Sequence, residues 1–180
     1  MRIGTAPINW NNEDVPNYRP WVPYPQILDE IVRAGYTATE WSSSLPDDIP
    51  ALKPALAVRN LTLTSAFTAL DLRSPERRVA EVERALAKAR FLHALGAEYL
   101  IAADLGDEVR QQVAGHVPAN HGLTDAQWDS LADGLHAIAR ALRPLGMRLV
   151  FHNHVGTYVE TAAETARLLE STDPALVGWC

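Results

Sequence analysis

The sequence is poor in the features that mark secreted, membrane-bound and disulfide-linked proteins. Its 180 residues contain one cysteine, which excludes an internal disulfide and indicates a reducing compartment. No apolar run approaches the roughly 20 residues that a membrane-spanning helix needs. The amino terminus, Met1 to Gly4, also lacks the apolar segment of a signal peptide. We therefore expect a cytoplasmic protein without a membrane partner.

Positive charge is also scarce. The chain has 16 Lys and Arg against 22 Asp and Glu, which gives a formal net charge of -6. Without a basic stripe, nothing displaces counterions from a phosphate backbone, so a nucleic-acid partner and a nuclease activity are disfavoured. The hydrophobic fraction, 47%, is ordinary for a globular protein, and 180 residues suffice for one core. We expect a single domain over residues 1–180.

Strand-like and helix-like segments alternate along the chain. Apolar or β-branched runs predict strands at 2–7, 37–41, 61–67, 98–103, 147–151 and 176–180. Helical spacing predicts helices at 25–34, 49–59, 74–95, 124–145 and 161–171. Gly35, Gly96 and Gly146 end three of these helices, and the segment at Thr124 fits a capping box. The polar stretch 105–123 fits either a loop over a site or a plain surface excursion.

This alternation predicts parallel strands covered by helices. The strands end in polar or small residues, which is typical of a (β/α) barrel with its chemistry at the carboxyl ends of the strands. The rival architecture is an open doubly wound sheet, which usually has a glycine-rich phosphate loop after its first strand. Residues 6–12 contain no glycine, so we favour an α/β fold of the (β/α)8 TIM-barrel type.

The most informative stretch runs from Phe151 to Glu160. An apolar strand ends there in His152, Asn153 and His154, as a buried strand does when it opens into a polar pocket. Strand alternation puts His152 and His154 on one side of the strand end. Imidazoles transfer protons and bind metals, so both histidines are candidate catalytic residues and His152 is a candidate metal ligand. Direct contact with substrate is the alternative role for His152.

Five further residues at or near strand ends are candidates. Glu40 is a candidate general acid or base, and a solvated carboxylate is the alternative. Asn9 and Trp10 could hold sugar hydroxyls and stack on a ring, and a turn amide with a core-edge indole is the alternative. Asp104 and Glu160 are candidate substrate contacts, although a carboxylate favoured by a helix start is the default for Glu160. We expect the candidates of the first, second and fifth strands to converge at the carboxyl edge of the sheet.

Three motifs resemble the inosose dehydratase family. They are Ala6-Pro7-Ile8-Asn9-Trp10, Ala34-Gly35-Tyr36-Thr37-Ala38-Thr39-Glu40 and Phe151-His152-Asn153-His154-Val155-Gly156-Thr157. That family belongs to the xylose-isomerase-like TIM-barrel group, with sugar isomerases, epimerases and endonuclease IV. The motifs occur in the family's order, and the resemblance covers the whole chain. It implies dehydration of scyllo-inosose (2-keto-myo-inositol) through an enediolate in inositol catabolism. It also implies a divalent metal, Mn or Co, with Mg or Zn as alternatives.

Two departures from the family pattern bear on that expectation. Where many relatives have a metal-binding glutamate at the end of the fifth strand, this sequence has His152. The resemblance also implies an aspartate ligand just past the sixth strand, then a histidine and a glutamate on later strands, all beyond Cys180. A full barrel takes about 250 residues. We therefore expect about five and a half of the eight units here, and an incomplete site in this chain alone.

Two alternatives stay open. A sugar isomerase or epimerase of the same fold, of hydroxypyruvate or ketose type, would use a similar enediolate but return the proton to another position. Either enzyme would take a small polyol or keto-sugar. An inactive fragment or interaction-only protein is the alternative of another class, and its open parallel edges would favour association, including a homo-oligomer. An in-frame Asp-Thr-Gly-His downstream of codon 180 would assign the activity to a longer protein.

Overall fold

The structure, a computed structural model, describes residues 3–15, 17 and 19–180. The strands are β1 (Gly4–Thr5), β2 (Ala38–Trp41), β3 (Thr62–Leu70), β4 (Tyr99–Asp104), β5 (Arg148–Phe151) and β6 (Val177–Trp179). The helices are α1 (Tyr24–Arg33), α2 (Ile49–Ala57), α3 (Arg78–Ala94), α4 (Glu108–Gln112), α5 (Asp125–Leu142) and α6 (Ala162–Ser171). Short 3-10 turns cover Pro7–Asn9, Pro75–Arg77, Ala119–His121 and Arg143–Leu145. The predicted alternation of strands and helices is confirmed.

The six strands lie in the sheet in their order along the chain, from β1 to β6. β1 pairs in parallel with β2, β2 with β3, and β5 with β6. A doubly wound sheet reverses its winding direction partway along the chain and therefore has a permuted strand order, whereas a (β/α) barrel adds each strand beside the previous one. The sequential order separates the two architectures and agrees with the barrel type.

Local sequence signals set the helix ends. Thr124 and Gln127 form the predicted capping box: the Gln127 N–H donates to Thr124 Oγ1 at 3.4 Å, and the Thr124 N–H donates to Gln127 Oε1 at 3.0 Å. The glycines predicted to stop α1, α3 and α5 all have positive φ, which a residue without Cβ adopts at little cost. A second capping box, Thr161 with Glu164, begins α6 directly after the histidine stretch.

Several predicted boundaries differ from the structure. β1 is two residues long because Pro7–Asn9 turns into a 3-10 helix, and the first residue of the predicted strand, Arg2, lies outside the described residues. β3 continues three residues past the predicted end, to Leu70. The stretch 105–123, predicted as a loop over a site or a plain surface excursion, contains α4 and a 3-10 turn. Asp107 caps α4 by accepting a hydrogen bond from the Arg110 N–H at 3.1 Å.

The described chain divides into two compact units. The first comprises residues up to Phe67 together with Phe91–Tyr99. Its core consists of apolar side chains from α1, α2 and β3 and from the end of α3. The largest of these fully buried side chains are Ile27, Leu28, Ile31, Leu52 and Leu92. Trp41 packs edge-to-face on Phe91 with the ring centroids 5.7 Å apart.

The second unit comprises Thr68–Arg90 and Leu100–Cys180. α5 packs on β5 and α6, and its apolar face is buried along most of its length. Leu72 approaches α5 closely at Gly134, where a Cβ would lie 2.8 Å from Leu72 Cδ2, so a larger residue would require the Leu72 side chain to shift. Phe151 at the end of β5 is buried and stacks on Trp179 of β6. Together these contacts fix the carboxyl end of β5, where the histidines begin.

In the part of the chain that the structure describes, every helix is too short or too polar to cross a bilayer. The prediction of one domain over residues 1–180 stays a prediction.

Candidate active site

Glu40 lies where the pairing of β2 with β3 is irregular. Thr39 pairs with Leu63 and Trp41 pairs with Ala66, so two steps along β2 match three along β3. The extra residue on β3 bends the strands at the position of Glu40, and bulges of this kind re-aim side chains next to sites. Burial raises the pKa of Glu40, although a hydrogen bond from Ser65 opposes the shift. The carboxyl therefore keeps its proton to a higher pH than an exposed glutamate does.

A pH-dependent stability change should follow from replacing Glu40 with glutamine. Because the folded pKa is raised, the native state holds this proton more tightly than the unfolded chain does. Ionisation of Glu40 therefore costs native stability as the pH rises from the unfolded value, 4.5, through the folded one. We expect Glu40→Gln to gain unfolding free energy over wild type on going from about pH 4 to about pH 7.

Urea unfolding at the two pH values checks the Glu40 prediction. Glu30→Gln is the matched control of opposite sign, because hydrogen bonds from Gln26 and then Trp10 lower the pKa of Glu30. That variant should lose stability relative to wild type over the same pH interval. A Glu40→Gln difference that does not change with pH would contradict the raised pKa.

The two candidates after β1 are held by hydrogen bonds within the first unit. Asn9 Nδ2 donates to Thr5 Oγ1 at 2.9 Å, and the side chain of Asn9 is exposed. Trp10 Nε1 donates to Glu30 Oε2 at 2.6 Å, which fixes the indole against α1. Since the indole N–H is already used, Trp10 can offer a substrate only its ring surface. A contact of either residue with substrate stays a prediction.

Sequence reasoning did not single out a hollow of about 360 Å³ in the first unit. It is lined by three amides, two charged side chains, a serine, a valine and an aromatic ring, from Asn11, Asn12, Glu13, Val15, Asn17, Arg19, Trp21 and Ser43. Asn11 is buried and holds its wall, because Asn11 Nδ2 donates to the Val22 carbonyl at 2.9 Å and Asn11 Oδ1 accepts from the Val22 N–H at 2.9 Å. The usable sequence signal was the cluster of asparagines near tryptophan.

His152 and His154 follow β5 directly, as predicted. The His152 N–H donates to the Ala102 carbonyl at 2.8 Å, and the two imidazole centroids lie 5.8 Å apart. Burial, and then the neighbouring His154, lower the pKa of His152. A neutral imidazole is the form that accepts a proton or binds a metal. His154 Nδ1 lies 2.9 Å from the Val155 carbonyl, which only accepts, so Nδ1 is the donor in this contact.

Asp104, the last residue of β4, has a completely buried side chain. Its Oδ1 accepts hydrogen bonds from the Gly106 N–H at 2.7 Å and the Tyr158 N–H at 3.3 Å. Its Oδ2 lies 3.0 Å from Nε of Arg73. Burial raises the pKa of Asp104, and the Arg73 guanidinium opposes that shift. Both oxygens are engaged inside the protein, so contact with substrate stays an untested prediction for Asp104.

Glu160 is likewise engaged by backbone groups. Its Oε1 accepts from the Gly115 N–H at 2.6 Å, and its Oε2 accepts from the Gly156 N–H at 2.7 Å. Oε2 also lies 3.8 Å from Nη2 of Arg110. The carboxylate therefore joins two segments of the second unit. Its predicted contact with substrate is also untested.

Four residues beside these carboxylates were missed by sequence reasoning: Arg73, Arg110, Tyr158 and Glu164. Arg110 is fully buried and forms a two-fold ion pair with Glu164, with Nη1–Oε1 at 2.6 Å and Nη2–Oε2 at 3.0 Å. The ring of Tyr158 lies 4.5 Å from Cζ of Arg73 and 5.0 Å from Cζ of Arg110. Only the capping-box pattern that ends in Glu164 gave a local signal.

The implied metal can be tested against the side chains present. Among residues 3–15, 17 and 19–180, no three His, Cys, Asp or Glu side chains gather closely enough to hold a metal ion. Catalytic metal sites usually use three protein ligands, and His152 could supply one. The described residues therefore do not form a complete metal centre.

The strand order and the polar carboxyl ends of the strands define a protein of the (β/α)-barrel class. Residues 28–180 match the family model described as xylose isomerase-like TIM barrel, and the chain belongs to that family. The predicted fold class and the predicted family relation are both confirmed.

Several of the proteins that the chain resembles are named as enzymes that act on sugars or cyclic polyols. The chain is 38% identical to inosose dehydratase of Geobacillus kaustophilus over 179 residues, which cover 98% of this chain and 58% of that protein. A solved L-ribulose 3-epimerase superposes with a TM-score of 0.71 at 21% identity, covering 99% of this chain and 59% of that one. A xylose isomerase-like TIM-barrel protein of Mycobacterium smegmatis, in complex with magnesium, superposes at 0.66 and 16% identity, covering 99% and 63%. The chain thus spans about 58% of the length of the curated dehydratase it matches.

Proposed function

We propose that this chain forms part of a hydro-lyase that dehydrates scyllo-inosose in inositol catabolism. The observation that carries the proposal is the 38% identity to inosose dehydratase of G. kaustophilus across 98% of the chain. Loss of water beside a ketone needs one base and one acid. The lowered pKa of His152 and the raised pKa of Glu40 support that assignment, because they favour a neutral imidazole and a protonated carboxyl.

His152 is the base in this proposal, and Glu40 is the acid. The imidazole takes the proton from the carbon beside the ketone, and the C–H electron pair moves into the carbonyl to form an enediolate. The carboxyl of Glu40 then gives its proton to the hydroxyl on the next carbon. As the C–O bond breaks, the enediolate electrons return and water leaves. The product is the enol of a trihydroxycyclohexane-dione.

Three further candidates, His154, Asn9 and Trp10, would bind the polyol. The imidazole of His154, whose Nδ1 donates to the Val155 carbonyl, lies beside His152 and contacts a substrate hydroxyl in this proposal. The Asn9 amide and the ring face of Trp10 serve the same ligand, and the hollow lined by asparagines and Trp21 offers further hydroxyl partners. A divalent metal, a cytoplasmic location and association into a homo-oligomer belong to the proposal as expectations from the family resemblance and the composition.

Product analysis tests the proposal. The chain is assayed on scyllo-inosose with Mn or Co, alone and as a chimera in which the unmatched part of the G. kaustophilus enzyme follows Cys180. We expect the chimera to release a product lighter by one water and chelation to abolish that turnover. The 180-residue chain should give no measurable turnover, because the residues that the structure describes do not complete a metal centre. A chimera without turnover would contradict the lyase assignment.

Epimerisation of a keto-sugar is the second candidate function. It is suggested by the structural likeness to L-ribulose 3-epimerase. The family resemblance implies that such a reaction would use a similar enediolate. The same assay separates the two reactions by product mass, because an epimerase returns the proton and retains the hydroxyl. A product of unchanged mass from a ketose, with none from scyllo-inosose, would favour the epimerase.

A further inference from the structure

The segment that joins β5 to α6, residues 152–161, is named here the histidine turn. The His154 N–H donates to the Val159 carbonyl at 3.1 Å, and Thr157 Oγ1 donates to the His154 carbonyl at 2.8 Å. The Val159 N–H in turn donates to Thr157 Oγ1 at 3.2 Å. These bonds link His154 to Thr157 and Val159 within the turn. The position of His154 therefore depends on the contacts that hold residues 156–160 in place.

Two carboxylates hold those residues against the segment after β4. Asp104 accepts the N–H of Tyr158 and, with the same oxygen, the N–H of Gly106. Glu160 accepts the N–H of Gly156 at 2.7 Å and the N–H of Gly115 at 2.6 Å. Each carboxylate thus bonds one amide of the histidine turn and one amide of segment 105–115. The two segments are tied together at two separate points.

Tyr158 adds a third tie at the centre of the turn. Its hydroxyl donates to Asp107 Oδ2 at 2.8 Å, so the side chain reaches the amino-terminal cap of α4. The guanidinium groups of Arg73 and Arg110 both lie over its ring, at 4.5 Å and 5.0 Å from the centroid. Arg73 Nη2 also donates to the Gly106 carbonyl at 2.9 Å. The ring is therefore held both through its hydroxyl group and through its contacts with the two guanidinium groups.

The backbone of the histidine turn lies so close to the backbone of segment 105–115 that a side chain larger than glycine does not fit between them at Gly106. A Cβ on Gly106 would lie 2.5 Å from the Gly156 carbonyl oxygen, and Gly106 has a φ of +68°. Only glycine fits there without a shift of one backbone. Burying several charged groups is weak support for stability, because their desolvation offsets much of their attraction. What the arrangement does provide is one fixed geometry.

We propose that Asp104, Tyr158 and Glu160 are positioning residues that fix the histidine turn, and through it the imidazole of His154, without touching substrate. A catalytic role for the positioned His154 rests on the proposed function. The hydrogen bonds that position it do not depend on that function, since they are contacts within the second unit. The roles predicted for Asp104 and Glu160 as substrate contacts would accordingly be replaced by roles in placing a neighbour.

Nuclear magnetic resonance of the 180-residue chain without substrate tests this proposal. Glu160→Gln removes one hydrogen-bond acceptor, because the side-chain nitrogen of glutamine replaces one carboxylate oxygen and cannot accept from a backbone N–H. Tyr158→Phe removes only the bond to Asp107 and keeps the contacts of the ring with both guanidinium groups. Because the single oxygen of glutamine can accept from only one of the Gly115 and Gly156 amides, we expect Glu160→Gln to speed hydrogen exchange of one of these two amides by about tenfold or more. The ring signals of His154 should also move. Tyr158→Phe should move the same ring signals with the exchange of α5 unchanged.

Arg167→Met is the matched control, because it removes an ion pair of α6 with Asp125 on the surface and leaves the turn untouched. It should leave the His154 ring signals and the exchange of the Gly115 and Gly156 amides as in wild type. If Glu160→Gln and Tyr158→Phe also leave both readouts unchanged, the proposal is wrong. Failure of the proposed dehydration would be seen separately, because it would appear in the turnover assay and would not alter these substrate-free signals.

Discussion

Replacement of His152 by alanine should lower turnover of scyllo-inosose by the chimera about 10²-fold or more. The expectation follows from its place directly after β5 and from its lowered pKa, which together present a neutral imidazole at a strand end. Removing a positioned general base typically costs 10²- to 10⁴-fold in rate, and losing a metal ligand costs at least as much. Because the ring acts on the transition state in this proposal, kcat should fall far more than KM rises.

Steady-state kinetics at saturating metal measure the effect of His152→Ala. His116→Ala is the matched control, since His116 is an exposed histidine of the same unit outside the proposed machinery. The control should keep wild-type kcat within about twofold. Unfolding curves for both variants separate lost chemistry from lost structure. If His152→Ala turns over as fast as the control, His152 contributes only to the structure of the strand end.

Local patterns in the sequence were enough to predict most of the fold. The capping box at Thr124 and the glycines after α1, α3 and α5 depend on neighbours within a few residues, and the structure confirms them. Strand order followed from the alternation of strands and helices, because a parallel neighbour needs a crossover helix. The extra residues of β3 were missed, since Thr68 to Leu70 continue the strand only through pairing that a short window does not contain.

Only those residues of the candidate site that combine a reactive side chain with a position at a strand end could be predicted from the sequence. Glu40, His152 and His154 stand directly at strand ends, and residue type with position singled them out. Arg110 could not be found this way. Its partner Glu164 lies 54 residues further along the chain, and Arg110 itself sits in a polar stretch that looks solvated. A buried arginine is recognisable only after folding has supplied its counter-ion.

The same limit applies to the carboxylates that were expected to contact substrate. Asp104 and Glu160 end a strand and precede a helix, as catalytic carboxylates often do. Whether such an oxygen faces a ligand or a backbone N–H depends on the segment packed against it. Here the segment 105–115 supplies two of those N–H groups, from Gly106 and Gly115. Sequence type predicted polar groups correctly, but their partners required the tertiary structure.

Replacement of Arg110 by methionine should lower the unfolding free energy by about 3–5 kcal/mol. Its guanidinium is fully buried, pairs with both oxygens of Glu164 and donates to the His121 carbonyl at 3.1 Å. Burial raises the pKa of Glu164, but the Arg110 hydrogen bonds and backbone N–H groups outweigh burial and leave the pKa lowered. This contribution is present at neutral pH and is lost as the pH falls through the folded pKa. Without Arg110, Glu164 becomes a half-buried carboxylate lacking its counter-ion.

A double-mutant cycle makes this stability prediction specific to the ion pair. Glu164→Gln keeps the capping box with Thr161, because glutamine serves at that position as glutamate does. Arg110→Met combined with Glu164→Gln should be less destabilised than the sum of the single variants by roughly 1–3 kcal/mol. Arg167→Met, which breaks the exposed pair with Asp125, should cost less than about 1 kcal/mol in the same urea titration. If Arg110→Met lowers the unfolding free energy by no more than Arg167→Met does, the buried ion pair makes no measurable contribution to stability. The 3-10 turn Ala119–His121 and α4 would then be stabilised by apolar packing alone.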